Sequence, residues 1–326
     1  MRTAISSHAQ TRIRTAAGST AVVVLIAALS ACSTSSGTSG TKGAASPADG
    51  KGGSAPLHVV AAENFWGSIA QQLGGTHADV KSIISNPDAD PHAYEPTAAD
   101  GRTVATAQYT IVNGIGYDAW ADKLLSANPG SGRTDLKVGD LVGLKPGGNP
   151  HRWYSPDDVH KVIEKITGDY KKLDPADAAY FDAQKKTYEE QTLAPYNKLV
   201  ADIKARYAGT PIGASESIVT PLSEGLGLRM LTPESFLGAI SEGTDPTAKD
   251  KSAIDAQIKN KQIKIYVYNS QNSTPDVAAQ VKAVKAAGIP VATVTETLTP
   301  AGASFQDWQV RQLKDIEKAL ALATGK

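Results

Sequence analysis

The sequence is poor in cysteine, in long apolar runs and in any surplus of charge. It has one Cys, two Met and four Phe among 326 residues. One thiol closes no internal disulfide, and it builds neither a Cys-rich zinc module nor an iron–sulfur cluster. The longest apolar run, Ala21–Leu29, is nine residues, whereas a spanning helix needs about twenty. Lys+Arg and Asp+Glu both number 33, so no basic excess points to nucleic acid. Nucleotide, serine-hydrolase and zinc-protease signatures (GxxxxGK[ST], GxGxxG opening a helix, GxSxG, HExxH) are missing too. What is present is 41% hydrophobic residues, enough for a core and incompatible with global disorder.

The amino end reads as an address. Arg2, Arg12 and Arg14 precede the nine-residue run, which has the length of a secretory signal. The run ends in Leu29-Ser30-Ala31-Cys32, which resembles a bacterial lipobox, with Cys32 as the site of lipid attachment. Residues 32–56 are rich in Gly, Ser, Thr and Ala, the composition of a flexible tether. Without residues 1–31 the chain keeps 30 basic residues against 33 acidic ones, a net charge of −3.

From residue 57 the pattern alternates. Short apolar runs at Leu57–Ala61, Val80–Ile84 and Tyr109–Val112 predict strands, with Leu136–Gly139 as a further short one. Helices are expected at Phe65–Leu73, Pro96–Ala107 and Tyr117–Ser126. Ser155-Pro156-Asp157-Asp158 is a strong helix start. Asp174-Pro175 repeats it and opens a long helical stretch to Tyr207, which Pro195 should kink or split. A second series follows, with strands at Ile212–Ala214, Arg229–Leu231, Ile263–Val267 and Val291–Val294. Helices are expected between these strands and in a terminal stripe from Phe305 to Leu320. The expected architecture is α/β: two Rossmann-like lobes with mainly parallel sheets, joined by one long linking helix. We place the lobes at 57–174 and 208–326 and the linker at 175–207. Ligands of such sheets collect beyond the carboxyl ends of the strands.

Two of the six histidines stand apart. His92 lies in Asn86-Pro87-Asp88-Ala89-Asp90-Pro91-His92, and His151 in Asn149-Pro150-His151-Arg152-Trp153. Both loops are stiffened by proline, which suits preorganised metal binding. On their own, two such histidines are equally at home as surface or hydrogen-bonding residues. His58, on a strand, His77, in an exposed-looking GGTHAD turn, and His160, mid-helix, read as surface residues; His8 lies in the signal.

Asp-Pro-His92-Ala-Tyr-Glu-Pro-Thr and Asn-Pro-His151-Arg-Trp resemble the two histidine motifs of the zinc/manganese solute-binding lipoproteins of ABC importers, the cluster A-I, zinc-uptake-protein-like family. The resemblance covers Leu57–Lys326. Arg152 and Tyr154-Ser155 depart from the usual second motif, which touches the rim of the site more than His151. It implies two further ligands in the carboxyl lobe: Glu216 in Ala214-Ser215-Glu216-Ser217, with Ser215 and Glu224 as competitors, and Glu296 in Val294-Thr295-Glu296-Thr297. Asn269 and Gln271, just after a strand, are placed to support those ligands by hydrogen bonds. Two imidazoles and two carboxylates suit Zn²⁺, with Mn²⁺ as the alternative. The implied protein is no enzyme. It is expected to be a monomeric metal-binding lipoprotein, anchored by lipid on the extracytoplasmic face of the cell membrane and feeding an ABC permease, with no nucleic-acid partner. An adhesin on the same fold is the alternative.

Overall fold

The computed structural model describes residues 55–326 apart from Asp88 and Asp90. The expected signal peptide, Cys32 and nearly all of the tether lie outside the described residues. Among the described residues no helix is long and apolar enough to cross a membrane.

The first lobe runs β1 (Leu57–Glu63), α1 (Asn64–Gly74), β2 (Ala78–Ile84), α2 (Ala98–Ala105), β3 (Tyr109–Val112), α3 (Ala119–Ala127), β4 (Thr134–Lys137), α4 (Val138–Val142) and α5 (Pro156–Leu173). The linking segment holds α6 (Ala178–Thr187) and α7 (Ala194–Tyr207). The second lobe runs β5 (Pro211–Ala214), α8 (Val219–Gly225), β6 (Arg229–Met230), α9 (Glu234–Ser241), α10 (Ala248–Lys259), β7 (Ile265–Asn269), α11 (Pro275–Ala286), β8 (Val291–Val294) and α12 (Phe305–Thr324).

Each lobe has a four-stranded sheet, ordered β2-β1-β3-β4 and β6-β5-β7-β8. Every strand pair is parallel. The two orders are the same permutation. In each, the first strand of the lobe has its two nearest successors in sequence on opposite sides, which opens a crevice at its carboxyl end. The central strands β3 and β7 are largely buried on both faces, as expected where helices cover a parallel sheet. Tyr109–Val112 is buried throughout.

The starts follow the sequence signals. Ser155 caps α5 by accepting from the Asp158 amide, with Pro156 at the first helical position, and Thr97 closes a reciprocal capping box with Asp100 on α2. Three details differ from expectation. β4 stops at Lys137 and the chain turns into α4, because the Gly139 amide bonds the Asn113 carbonyl instead of extending the β3 ladder. α3 begins only at Ala119, because Tyr117 and Asp118 belong to the preceding turn. α9 adds a second helix between β6 and β7, with Phe236, Leu237 and Ile240 recurring at helical spacing and buried. In the linking segment a π-helical turn at Tyr188–Thr192 separates α6 from α7. Pro195 therefore falls in the first turn of α7, where its missing N–H costs nothing.

One apolar cluster runs through both lobes and the linker. Its centre holds Phe65 stacked on Trp153 at 3.9 Å, with Tyr117 tilted against Trp153 at 4.9 Å. From the other side, the Tyr154 hydroxyl donates to Gln312 Oε1 on α12 and lies 2.7 Å from the Thr295 carbonyl. Gln72 and Gln306 exchange amide hydrogen bonds between α1 and α12.

Candidate metal centre

All four predicted ligand positions lie beyond the carboxyl ends of strands or in the loop that opens α5. His92 follows β2, His151 precedes α5, Glu216 follows β5 and Glu296 follows β8. They line one cavity of about 1140 Å³ between the lobes.

Three of them meet. His92 Nε2 is 3.3 Å from Glu296 Oε1, and His151 Nε2 is 3.8 Å from the same oxygen. One donor atom from each of the three residues lies within 4.8 Å of the others. Four ligands held tetrahedrally at ~2.1 Å from an ion stand about 3.4 Å apart, so these separations suit a shared cation. Glu296 Oε1 is buried and, apart from the two imidazoles, has no hydrogen-bond partner. Such an oxygen flanked by two imidazole nitrogens is a ready acceptor for a cation.

Each donor is held from behind. His151 is 1% exposed. Its Nδ1 is 2.9 Å from Asn149 Oδ1, which also accepts the His151 amide. With Nδ1–H donating to that carbonyl oxygen, Nε2 carries the lone pair and faces Glu296. Burial lowers the His151 pKa, outweighing the pull of Glu296, so the ring is neutral at pH 7. Asn149 Nδ2 donates to the Ser217 carbonyl in the opposite lobe. The carbonyl of Pro91, just before His92, accepts from Trp120 Nε1, and Tyr117 meets the His92 ring edge-on at 4.6 Å.

Glu296 is fixed through its backbone. Its amide and that of Thr297 donate to Gln271 Oε1. Gln271 Nε2 reaches across to the Pro87 carbonyl of the His92 loop. Thr295 is held by Trp308 Nε1 and Gln312. Burial works to raise the Glu296 pKa, but the two histidines overcome it and hold the carboxyl well below the usual range.

Glu216 stands outside the three-residue cluster. It is 2% exposed. Asn269 Nδ2 donates to Oε1 and Asn272 Nδ2 to Oε2 at 2.6 Å. Burial, then the charge of Glu296, pushes its pKa up to about 7, against those two amides. Of the two expected supporting residues, Asn269 therefore holds Glu216, and Gln271 holds the Glu296 loop. Asn272 lies in the same post-strand segment as these two, so its place is legible too. The supporting roles of Asn149 and Tyr117 are not, although Asn149 stands two residues before His151.

The floor is equally built. Asp118 accepts from the amides of Asn113 and Gly114 at 2.7 Å, and Asn113 Nδ2 donates to the Pro150 carbonyl. Gly114, Ile115 and Gly116 all have positive φ, including the non-glycine Ile115 at 63°. This glycine pair makes a left-handed turn at the cavity wall and no nucleotide loop. Five glutamates and no Lys or Arg line the cavity among the described residues, a field that draws in cations.

The family model for the periplasmic component A of the zinc-uptake complex, ZnuA, matches residues 59–319. The chain belongs to this family. The zinc-binding lipoprotein AdcA of Streptococcus pneumoniae is 26% identical over 302 residues, covering 83% of this chain and 56% of its own. The manganese-binding lipoprotein MntA of Halalkalibacterium halodurans is 28% identical over 145 residues, covering 43% of this chain and 46% of its own. The chain spans about half the length of these curated relatives. The Mn-bound periplasmic metal-binding protein of Candidatus Liberibacter asiaticus superposes with a TM-score of 0.68 at 20% identity, covering 80% of this chain and 98% of that one. It shares the two-lobed fold.

Asn149→Ala should lower metal affinity by roughly 10–100-fold, the usual effect of removing the group that orients a ligating histidine. Its far-UV circular dichroism should be unchanged. Titration with an affinity within a factor of two of the parent would refute the role given to Asn149.

Proposed function

We propose that the chain captures Zn²⁺ or Mn²⁺ between its lobes and delivers it to an ABC permease from a lipid anchor on the extracytoplasmic face. The observation that carries this reading is the convergence of His92 Nε2 and His151 Nε2 on the buried Glu296 Oε1. Family membership and the zinc- and manganese-binding relatives support the same reading.

His92, His151 and Glu296 are the ligands held ready, and Glu216 closes the set from the second lobe. Two carboxylates balance the 2+ charge and ease its burial. Protein groups then fill the coordination positions and leave none for a reacting water, which favours carriage over catalysis. The donor set is borderline to hard and accepts both ions.

Elemental analysis of the purified protein and competitive titration with Zn²⁺ and Mn²⁺ test this. One tightly held equivalent at the cleft is expected. A protein that takes up neither ion at micromolar concentration would sink the proposal.

The pH dependence follows from Glu216. Burial and the charge of Glu296 push its pKa up to about 7, so its ligation displaces a proton from a carboxyl that is partly protonated near neutral pH. Glu296 is already ionised and His151 already neutral, and neither adds to this. Affinity should therefore fall as pH drops from 7.5 to 6. Calorimetry in two buffers of different ionisation enthalpy reads the proton directly. Glu216→Gln should reduce this release; an unchanged proton count in that variant would contradict the assignment.

A further inference from the structure

Away from the cleft, a second set of donors meets where the first lobe joins the linking segment. His77 ends the turn after α1, Asp174 is the C-cap of α5, and Asp177 is the N-cap of α6. One ligand atom from each lies within 4.8 Å of the others, and His77 Nδ1 is 2.9 Å from Asp177 Oδ2.

The surroundings are assembled around this point. Sequence suggested an exposed turn, but the His77 ring lies 4.1 Å from Tyr180, centroid to centroid, and meets Phe181 edge-on. The Tyr180 hydroxyl accepts from the Thr76 amide. Gly75, at φ 53°, is required here: a Cβ would stand 2.2 Å from that hydroxyl. His77 Nδ1 is sealed from solvent, with Asp177 Oδ2 beside it at 2.9 Å.

The charge is unbalanced. Asp174 is only 7% exposed, and among the described residues its carboxylate takes part in no ion pair with Lys or Arg. The two lysines in the last turn of α5 are committed elsewhere, Lys171 to Asp182 and Lys172 to Asp169. Two carboxylates and an imidazole nitrogen, with no Lys or Arg paired to either carboxylate among the described residues, are the donor set of a divalent cation.

We propose that His77, Asp174 and Asp177 form a second divalent-metal site, separate from the cleft, that binds Mn²⁺ or Zn²⁺ with water completing the shell. Its ion ties the corner between α1 and β2 to the entrance of the linking segment.

Titration of the metal-stripped protein with Mn²⁺, reading free Mn²⁺ by electron paramagnetic resonance, tests this. Two equivalents per chain are expected. The double variant Asp174→Asn/Asp177→Asn should bind one, and so should Glu296→Ala, which removes the other site. Because Asp174 is buried, His77→Gln provides an arm that leaves both aspartates in place, and it too should lose one equivalent. The same number of equivalents in His77→Gln as in the parent would show a plain His–Asp ion pair and overturn the proposal. Loss of the cleft equivalent alone, with the second retained in Glu296→Ala, supports this site whatever becomes of the cleft reading.

Discussion

Glu296→Ala is expected to weaken Zn²⁺ and Mn²⁺ binding at the cleft by roughly 10²–10³-fold. The magnitude follows from the total: a four-ligand zinc site releases ~10–16 kcal/mol, so one ligand accounts for about a quarter of that. Glu296 is the shared point of the cluster, since both histidines approach the same oxygen. Without it, the His92 and His151 rings stand 6.4 Å apart, centroid to centroid, with nothing between them. The fold should survive. His151 is neutral and keeps its Asn149 bond, so no buried charge loses its partner. His92→Ala should act in the same direction with even less effect on stability, because His92 is the most exposed of the three. Competitive titration with a chromophoric chelator checks both. A Glu296→Ala affinity within tenfold of the parent, in a protein with an unchanged melting curve, would remove Glu296 from the ligand set.

Trp153→Ala should be the most damaging single change to the fold. Trp153 is fully buried, stacks on Phe65 and touches Tyr117 and His151. Truncating a buried Trp costs about 3–5 kcal/mol through lost burial and the cavity left behind. Metal affinity should fall with it, since the ring backs the loop that carries His151. Urea unfolding followed by far-UV circular dichroism measures the loss, and Trp153→Phe should restore part of it. A loss below about 1 kcal/mol would mean that the surrounding rings close over the gap.

The sequence by itself determined the parts that depend on local chemistry. Alternating apolar runs and proline or glycine punctuation placed the strands and most helices, since strand periodicity and cap residues are properties of short segments. The two proline-stiffened loops set His92 and His151 apart from the other histidines, and the motifs around them carry the family resemblance. Glu216 and Glu296 came only through the family motifs, because an acid after a strand has no local mark that separates it from a solvated one.

Tertiary structure decided the rest. It put His92, His151 and Glu296 around one oxygen and left Glu216 to two asparagine amides, a distinction set by distances across two lobes. It turned Asn149 from a motif letter into the group that fixes the tautomer of His151 and reaches the opposite lobe. It also moved His77 from a supposed surface turn to a packed junction with two aspartates nearly a hundred residues away. The physical reason is the same in each case. Ligation needs donors within a few ångströms, and in a doubly wound fold those donors come from loops at the ends of strands far apart in the chain.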